Sequence, residues 1–424
     1  MKKILLALSL PYLLSAHTLP ELFSALKSHA QTKSDEMSVK KAAIAASQAT
    51  SELYPKINLF ATYDNYSDPT GMVPVAPNRL VKMITPADDI SQPFSYNIYK
   101  AGANFSMPIF VKSIYTMADE AKAMQKSAKA KKRINMLQNE AIIVGSNANL
   151  LYLNQLKKAL DLKEKSLLET EKTLKIKVDN GRVPASALYK INDGLNQISI
   201  SKNNIELQKK KAVSSIETLT GIKLSNGIAM QELSPVREGA LKSLQPLQEK
   251  IKASQLNVHA QKEKLYPSVV AHGVYSYSTA TAYNTQNNID ENYGEIGVYV
   301  NIPLLAMSQY DAITKSEIEL DAQRVELQKL NDELTSKADM LNSSLPLLER
   351  SVELSQKSIK NKQKLLEIAK VNYKSGRLTT EEYLRYEDDV VDAKAKLYQA
   401  KAQKWQTVMQ LAVIYANNIE EMLK

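Results

Sequence analysis

The sequence predicts a mainly α-helical chain with a small β part, built as a tandem repeat of long helical hairpins. The first observation is the scarcity of helix breakers, since the 424 residues include only 12 Gly and 15 Pro. The second is a duplicated turn, in which Gly181-Arg182 returns as Gly376-Arg377 between long helical patterns. The third is the alternation of polar and apolar residues in two pairs of short segments, which is the period of strands.

The duplication predicts the domain organisation. Leu53-Tyr54-Pro55 returns as Leu265-Tyr266-Pro267, and Met107-Pro108-Ile109 returns as Ile302-Pro303-Leu304. We therefore expect a first repeat at 17–221, a connector at 222–236 and a second repeat at 237–424. Each repeat contains a helix, two strands, a long helix, a tip and a returning helix.

The start of the chain predicts a secretory signal peptide at 1–16. Met1-Lys2-Lys3 precedes the apolar run Ile4–Leu14, and small residues before His17 offer a cleavage site. The alternative is a buried N-terminal helix. No other run reaches the roughly 18–20 apolar residues of a membrane helix, so we expect no helical anchor in the mature protein.

In the first repeat, a helix from Leu19 to about Leu53 ends at Tyr54-Pro55, because Pro disfavours helix in its predecessor. Strands follow near 55–65 and 96–108, separated by a Pro-rich loop from Tyr66 to Phe94. A helix of roughly 100 Å then leads to a tip at 180–186 and a returning helix.

The second repeat follows the same order. A helix at about 238–265 should bend near Pro246, and strands lie near 267–277 and 293–303 around a polar loop. The next long helix contains Pro346, which should kink or divide it. At the tip, 375–380, Gly376 suits a left-handed position, and Thr379 or Thr380 can cap the last helix.

The strands have one apolar and one polar face, which indicates two different solvents. If the strands span a membrane, the apolar residues that face lipid are Tyr99, Ala101, Ala103, Phe105, Ile296, Val298, Val300 and Ile302. Four strands cannot close a membrane barrel alone, and an open edge cannot face lipid. If the strands span a membrane, several chains must share one barrel, and three chains would supply twelve strands. The alternative is a soluble sheet packed on helices.

Composition argues against several classes of protein. The net charge is +10, but the lysines are mixed with glutamates, which indicates solvated helix faces rather than a nucleic-acid surface. The chain has no Cys, and its four His show no ligand spacing. We find no nucleophile motif or phosphate loop, so we predict no enzyme, no metal and no cofactor.

The order of these elements and its duplication resemble the TolC family over about residues 17–420. The resemblance implies the outer-membrane channel of a tripartite efflux pump or type I secretion system, a passive export conduit that reaches into the periplasm. It implies a homotrimer with a shared 12-stranded β-barrel in outer-membrane lipid and a periplasmic α-barrel of coiled-coil hairpins. The implied partners are a periplasmic adaptor (membrane fusion) protein and an inner-membrane transporter.

The resemblance also implies roles for the tips. The family's tip turns contact the adaptor, which here involves Gly181, Arg182, Val183, Gly376, Arg377 and Leu378. The alternative for the glycines is that they only make the turn.

At the periplasmic entrance, the resemblance points to Glu381, Glu382 and Arg385. Glu382 holds the place of a family aspartate six residues past the tip glycine, whereas the first repeat has Ala187 there. Arg385 replaces a second family aspartate, so the acidic ring that the resemblance implies would rest on Glu382 and be weaker or differently paired. The alternative for Glu382 is a first-turn glutamate stabilised by the helix dipole.

Two other classes of protein are alternatives to a channel. One is a periplasmic or extracellular coiled-coil structural or adaptor protein, although an adaptor usually has one hairpin between paired lipoyl-like halves. The other is an enzyme on a helical scaffold, for which no site is found.

Overall fold

The computed structural model describes residues 17–78 and 90–423. The signal peptide predicted at 1–16 and the middle of the predicted loop from Tyr66 to Phe94 lie outside the described residues. The elements, in chain order, are α1 (Leu19–Ser28), α2 (Ala30–Ser51), β1 (Lys56–Gly71), β2 (Phe94–Phe110), α3 (Lys112–Asp179), α4 (Ser186–Thr220), α5 (Gln245–Glu263), β3 (Ser268–Thr281), β4 (Asn288–Asn301), α6 (Met307–Lys374), α7 (Thr380–Tyr415) and α8 (Ile419–Met422).

The chain divides into two compact units, each of which takes segments from both halves of the sequence. The first comprises the residues up to Val39 together with Lys129–Pro246 and Leu327–Lys424. The second comprises Lys40–Ala128 and Leu247–Glu326 and contains the whole sheet. The predicted mainly α chain with a small β part is confirmed.

The first unit is helical and has the main apolar core. Its fully buried side chains come from α1, α3, α4, α7 and α8, and they include Leu22, Leu26, Ile143, Val144, Leu150, Ile216, Met409 and Ile419. The connector packs on the same helices through Asn147, whose side chain exchanges two 2.7 Å hydrogen bonds with the backbone of Ile228. Because Asn147 is fully buried, this pairing satisfies groups that would otherwise be costly to desolvate.

Pro246 and Pro346 do not interrupt their helices as the sequence predicted. The predicted helix at 238–265 instead begins at Gln245, with Pro246 in its first turn, where the missing N–H has no intrahelical partner to lose. Pro346 does not divide its helix, since α6 runs from Met307 to Lys374 without interruption. One missing hydrogen bond is a local loss that the packing of a long amphipathic helix can offset.

The first predicted helix is also divided. The structure has α1 and α2 with a break at His29, whose backbone is extended. Thr18 caps α1 with a capping box completed by Glu21, which fixes where the helix starts.

The second unit holds one antiparallel sheet in the order β1-β2-β3-β4. Its strands are longer than the predicted ones: β1 reaches Gly71, and β3 and β4 approach each other to within the short turn 282–287. The predicted polar loop at 278–291 is therefore mostly strand. The polar composition of these residues did not predict strand, because polar and apolar side chains need not alternate at strand ends that lie outside an apolar core.

Candidate functional sites: hairpin tips and sheet faces

Both hairpin tips close with the same backbone motif. Gly181 and Gly376 have φ of +68° and +74°, the left-handed conformation that favours glycine. The N–H groups of Arg182 and Arg377 donate to the carbonyls of Lys177 and Asn372, at 2.8 and 2.9 Å. This is the six-to-one bond of a Schellman motif, which satisfies a carbonyl at the helix end.

The predicted contact residues at the tips are accessible. Arg182 and Arg377 are exposed, and the apolar Val183 and Leu378 that follow them are half-buried. A Cβ built on either tip glycine meets nothing within 4 Å. Each tip therefore offers an exposed cation beside an apolar side chain on a rigid turn.

The two tips differ in how the returning helix starts. Helix α7 has a full capping box: the Thr379 Oγ1 accepts from the Glu382 N–H at 3.2 Å, and the Glu382 carboxylate accepts from the Thr379 N–H at 2.8 Å. Helix α4 begins at Ser186, and its N-cap residue Ala185 makes no side-chain hydrogen bond to the helix. The hydrogen bonds of the α7 capping box hold the pKa of the Glu382 carboxyl below its usual value, and the bond from the Thr379 backbone N–H is the largest cause.

The other two entrance residues pair with each other. The Arg385 guanidinium donates to the Glu381 carboxylate at 2.7 Å, one helical turn away. Arg385 is exposed, so the pair is in high dielectric and stabilises the helix only modestly. Within a single chain, the structure thus brings Glu381 and Arg385 together and commits Glu382 to the cap.

Four strands share one continuous apolar face. Opposite residues in antiparallel strands point to the same side, and the register pairs Phe105 with Ile57, Ala103 with Leu59, Gly273 with Ile296 and Ala271 with Val298. All eight residues expected to face lipid lie on this face or directly continue it. Its larger side chains are strongly exposed, with Leu59 at 84% and Ile296 at 81%.

The opposite face is polar. It carries Asn58, Thr62, Lys100, Asn104, His272, Glu291 and Glu295, with cross-strand contacts such as Asn58 to Asn104 at 3.2 Å. Apolar-out and polar-in alternation is the pattern of a strand between lipid and a water-filled lumen.

Comparisons with known proteins agree with this arrangement. The family model for outer membrane efflux proteins matches residues 241–417, which include the second strand pair and the second tip. This region of the chain has the sequence pattern of the outer membrane efflux protein family. The predicted TolC-type identification is thereby confirmed, and the protein is located in the outer membrane and extends into the periplasm.

Solved outer membrane channels share the fold of this chain. The CmeC outer membrane channel of Campylobacter jejuni superposes with a TM-score of 0.72 at 16% identity, covering 93% of this chain and 84% of that one. VceC of Vibrio cholerae gives 0.70 at 14% identity, with 93% and 95% covered. MtrE of Neisseria gonorrhoeae gives 0.67 at 12% identity, with 94% and 88% covered. Comparison with curated proteins gives no match.

Sequence reasoning missed an aromatic contact across the second tip. Tyr373 at the end of α6 stacks on Tyr383 of α7, with ring centroids 4.9 Å apart and planes inclined by 17°. The Tyr383 hydroxyl also donates to Glu387 at 2.8 Å. The sequence could have predicted this contact, because the two tyrosines lie at similar distances from the turn and residues that flank a hairpin symmetrically face each other.

A second missed feature is the acidic stretch of α7 beyond the tip. Asp389 accepts from Lys362 of α6 at 2.9 Å, whereas burial raises the pKa of the neighbouring Asp388. This chain thus has carboxylates farther from the tip than Glu382, the position to which the resemblance to the TolC family assigned an acidic group.

Within the described residues, no helix is both long and apolar enough to cross a membrane. In the same part of the chain, His, Asp and Glu form no group of three that could hold a metal ion.

Proposed function

We propose that this protein is a passive efflux channel that works as a homotrimer. The observation that carries the proposal is the apolar face that spans all four strands while β1 and β4 remain sheet edges. An unpaired edge cannot be exposed to lipid, because its backbone N–H and C=O groups would have no partners there. Pairing β4 of one copy with β1 of the next satisfies both edges.

Three copies give a 12-stranded barrel, which lies within the range of single-chain outer-membrane barrels. The known channels of the same fold support a channel role, since one is described as an outer membrane channel in an open state. The exposed tip residues Arg182, Val183, Arg377 and Leu378 suit a protein contact, because an exposed cation beside an apolar side chain is typical of interface residues. We assign this contact to a periplasmic adaptor, with an inner-membrane transporter beyond it.

The entrance is proposed to close at the tips. Three symmetry copies of Glu381, Glu382 and Arg385 would surround the free end of a helical tube. Each Arg385 already pairs with its own Glu381 at 2.7 Å, so exchange to a neighbouring copy costs little. A gate made of such exposed pairs is weak enough for adaptor docking to open.

The proposal is tested in outer membranes isolated from cells that produce the chain with its adaptor. We expect a heat-labile trimer band on a gel, and we expect a photo-cross-linker at Arg377 to capture the adaptor. The same cross-linker at Lys357, an exposed residue farther along α6, is the matched control and should capture nothing. A chain that runs only as a monomer, or that captures the adaptor equally from both positions, would contradict the proposal.

A further inference from the structure

A short segment after α7 packs back onto the start of the helical unit. This strap, residues 417–423, includes α8. Three of its side chains are buried in the main apolar core: Ile419, Met422 and Leu423. The Leu233 N–H of the connector donates to the Met422 carbonyl at 2.9 Å, and Lys27 of α1 pairs with Glu420 of the strap at 2.6 Å. The strap is thus held by apolar packing, backbone hydrogen bonding and an ion pair.

The strap leaves α7 through a strained hinge. Ala416 has φ of +53°, a left-handed conformation that residues with a Cβ seldom adopt. The Asn417 side chain exchanges two hydrogen bonds with the backbone of Arg237, at 3.0 and 3.1 Å, and so fixes the chain just beyond the hinge. Such a conformation persists only where its surroundings impose it, so release of the strap would relieve the strain at Ala416.

A carboxyl group lies in the core that the strap helps to cover. Glu140 shares one face of α3 with Leu137 and Val144, one helical turn before and after it, and both pack in the same core as the strap. Glu140 is buried, and its Oε2 atom has no hydrogen-bond partner within the part of the chain that the structure describes. A carboxylate there would lose its hydration without compensation, so the site favours the protonated acid.

A charge of each sign acts on Glu140. Burial is the largest cause of its raised pKa, Glu420 of the strap raises that pKa further, and Lys27 of α1 lowers it. Helices α4 and α7 contribute apolar side chains to the same core, namely Ala212, Ile216, Val408, Met409 and Ala412. The charge balance around Glu140 is therefore set by the pair that holds the strap.

Other titratable residues near α3 have different neighbours. On α2, Glu36 pairs with Lys132 and Asp35 accepts from Asn135, both at 2.9 Å. His29, in the break between α1 and α2, lies beside Gly221 at the end of α4. Because histidine titrates near neutral pH, His29 is the competing source of any pH dependence in this region.

One cation cannot neutralise two carboxylates. With Glu140 protonated, Lys27 and Glu420 form a neutral pair. With Glu140 ionised, the same place holds two negative charges and one positive charge, and Glu420 belongs to the segment that can leave. We propose that Glu140 is a pH-sensitive switch for the strap: its protonated form keeps the strap closed, and its ionised form releases it. The switch lies within the helical unit and does not depend on the proposed channel.

The direction of the effect follows from where the proton binds. With the strap closed, the pKa of Glu140 is raised to about 7, whereas in the open form water hydrates the carboxyl and its pKa returns toward the usual 4.5. Between these values the closed form holds about one proton more than the open form, so the open fraction should rise about tenfold per pH unit. Above about pH 7 both forms are ionised, and the open fraction should level off.

Thiol labelling of the assembled protein in detergent measures opening of the strap, because the sequence has no Cys. The reporter is Met422→Cys, at a position that is covered while the strap is closed. Gly239→Cys corrects for the pH dependence of thiol reactivity, since it is exposed and an added Cβ there meets nothing within 4 Å. The ratio of the two labelling rates should rise about tenfold per pH unit from pH 5 to pH 7 and then level off.

Two substitutions test whether Glu140 is the group that titrates. Glu140→Gln keeps the size of the side chain but not its charge, so the ratio should stay low at every pH. If the ratio rises equally in Glu140→Gln, or does not change with pH in the parent, the proposal is overturned, and His29 is the next candidate in the first case.

The second substitution keeps the test decisive if Glu140→Gln does not assemble. Glu420→Gln leaves Lys27 to face Glu140 alone and removes one cause of the raised pKa. The rise in the labelling ratio should then end at a lower pH than in the parent. A rise that ends at the same pH would show that Glu420 does not act on the switch, which overturns the proposal.

A further reporter separates release of the strap from unfolding of the helical unit. Ala159→Cys is at a buried position of α3 outside the core that contains the strap. It should stay unlabelled at both pH 5 and pH 8. If Ala159→Cys is labelled in parallel with Met422→Cys, the whole unit opens and the strap is not a separate device.

Discussion

At Gly376, backbone conformation rather than space decides which residue can follow the helix. The site has φ of +74° and open surroundings, so a larger residue meets strain but no clash. Gly376→Val should cost about 1–2 kcal/mol locally and shift Arg377 and Leu378. We expect trimer amounts to stay normal while adaptor cross-linking and export are lost. Gly376→Asn, which tolerates the left-handed region, is the control and should retain both. Export that survives Gly376→Val would remove the tip from the docking site.

The Glu382 side chain has two possible roles, and one substitution separates them. Glu382→Gln removes the charge but keeps an oxygen for the Thr379 N–H, so the capping box survives. If the three carboxylates form an entrance ring, cation selectivity in planar bilayers should fall with Glu382→Gln. Arg385→Ala should raise the resting conductance, because Glu381 loses its 2.7 Å partner. Unchanged selectivity and conductance would leave Glu382 as a cap and Arg385 as an ordinary surface charge.

Glu140 gives the helical unit a dependence on pH. It is 4% exposed in the core, and its pKa is raised to about 7, chiefly by burial and then by Glu420, while Lys27 acts in the opposite direction. The folded protein therefore favours protonated Glu140. Its stability should fall as the pH rises from about 4.5 to above 7, by on the order of 3 kcal/mol.

The matching measurement is thermal unfolding of the protein in detergent at pH 5 and pH 8. Glu140→Gln mimics the protonated form, so the variant should equal the parent at pH 5 and exceed it in Tm at pH 8. Glu217→Gln, on an exposed position of α4, should leave both values unchanged. A parent and a Glu140→Gln variant with the same pH profile would show that this carboxyl does not titrate in the core.

At the scale of elements, the sequence predicts the structure correctly where residues at the boundary of an element determine that boundary. Both tips follow from a glycine, and the second tip follows also from a capping threonine, which the structure shows to be Thr379. The strand faces follow from period-2 alternation, which the register extends over four strands. The strand lengths were underestimated because the hairpin ends are held by polar side chains and by Met72, which carry no periodic pattern.

The burial and the pairing of charged side chains were likewise not predictable from the sequence. Glu140 lies in an ordinary amphipathic helical pattern, but in the fold it is buried near Lys27 of α1 and Glu420 of α8, which are distant in sequence. The sequence also leaves the partner of Arg385 open, because Glu381 and Glu382 are both within one helical turn of it. The structure pairs Arg385 with Glu381. Contacts between distant segments, rather than local propensity, decided these sites.

The sheet can be tested as one element by placing a charge on either face. Val298 is on the apolar face and Tyr299, its neighbour, is on the other. Val298→Lys should cost roughly 2–4 kcal/mol per chain near mid-membrane, so the yield of heat-labile trimer should fall. Tyr299→Lys places the same charge in the lumen and should assemble normally. Equal yields from the two variants would contradict a lipid-facing apolar face.

At the scale of the whole molecule, the unpaired edges of the sheet decide how many copies assemble. Strands β1 and β4 are the outer members of the sheet, and each is at least 14 residues long. A long exposed edge recruits another strand, and closure into a ring is the arrangement that leaves none free. In a ring, apolar residues of β1 lie beside apolar residues of β4 from the next copy, because paired residues share a face.

Cysteine pairs can detect this junction, since the parent chain has no cysteine to interfere. Leu59→Cys combined in turn with Ile296→Cys, Val298→Cys or Val300→Cys samples three registers on the apolar face. In one of them, oxidation should give covalent dimers and trimers on a denaturing gel, and the series should stop at three. Leu59→Cys with Gly297→Cys puts the thiols on opposite faces and should give monomer, because a disulfide needs Cβ atoms about 4 Å apart. A series that continues beyond three would require a different ring, and monomer in all three registers would mean that these edges do not meet.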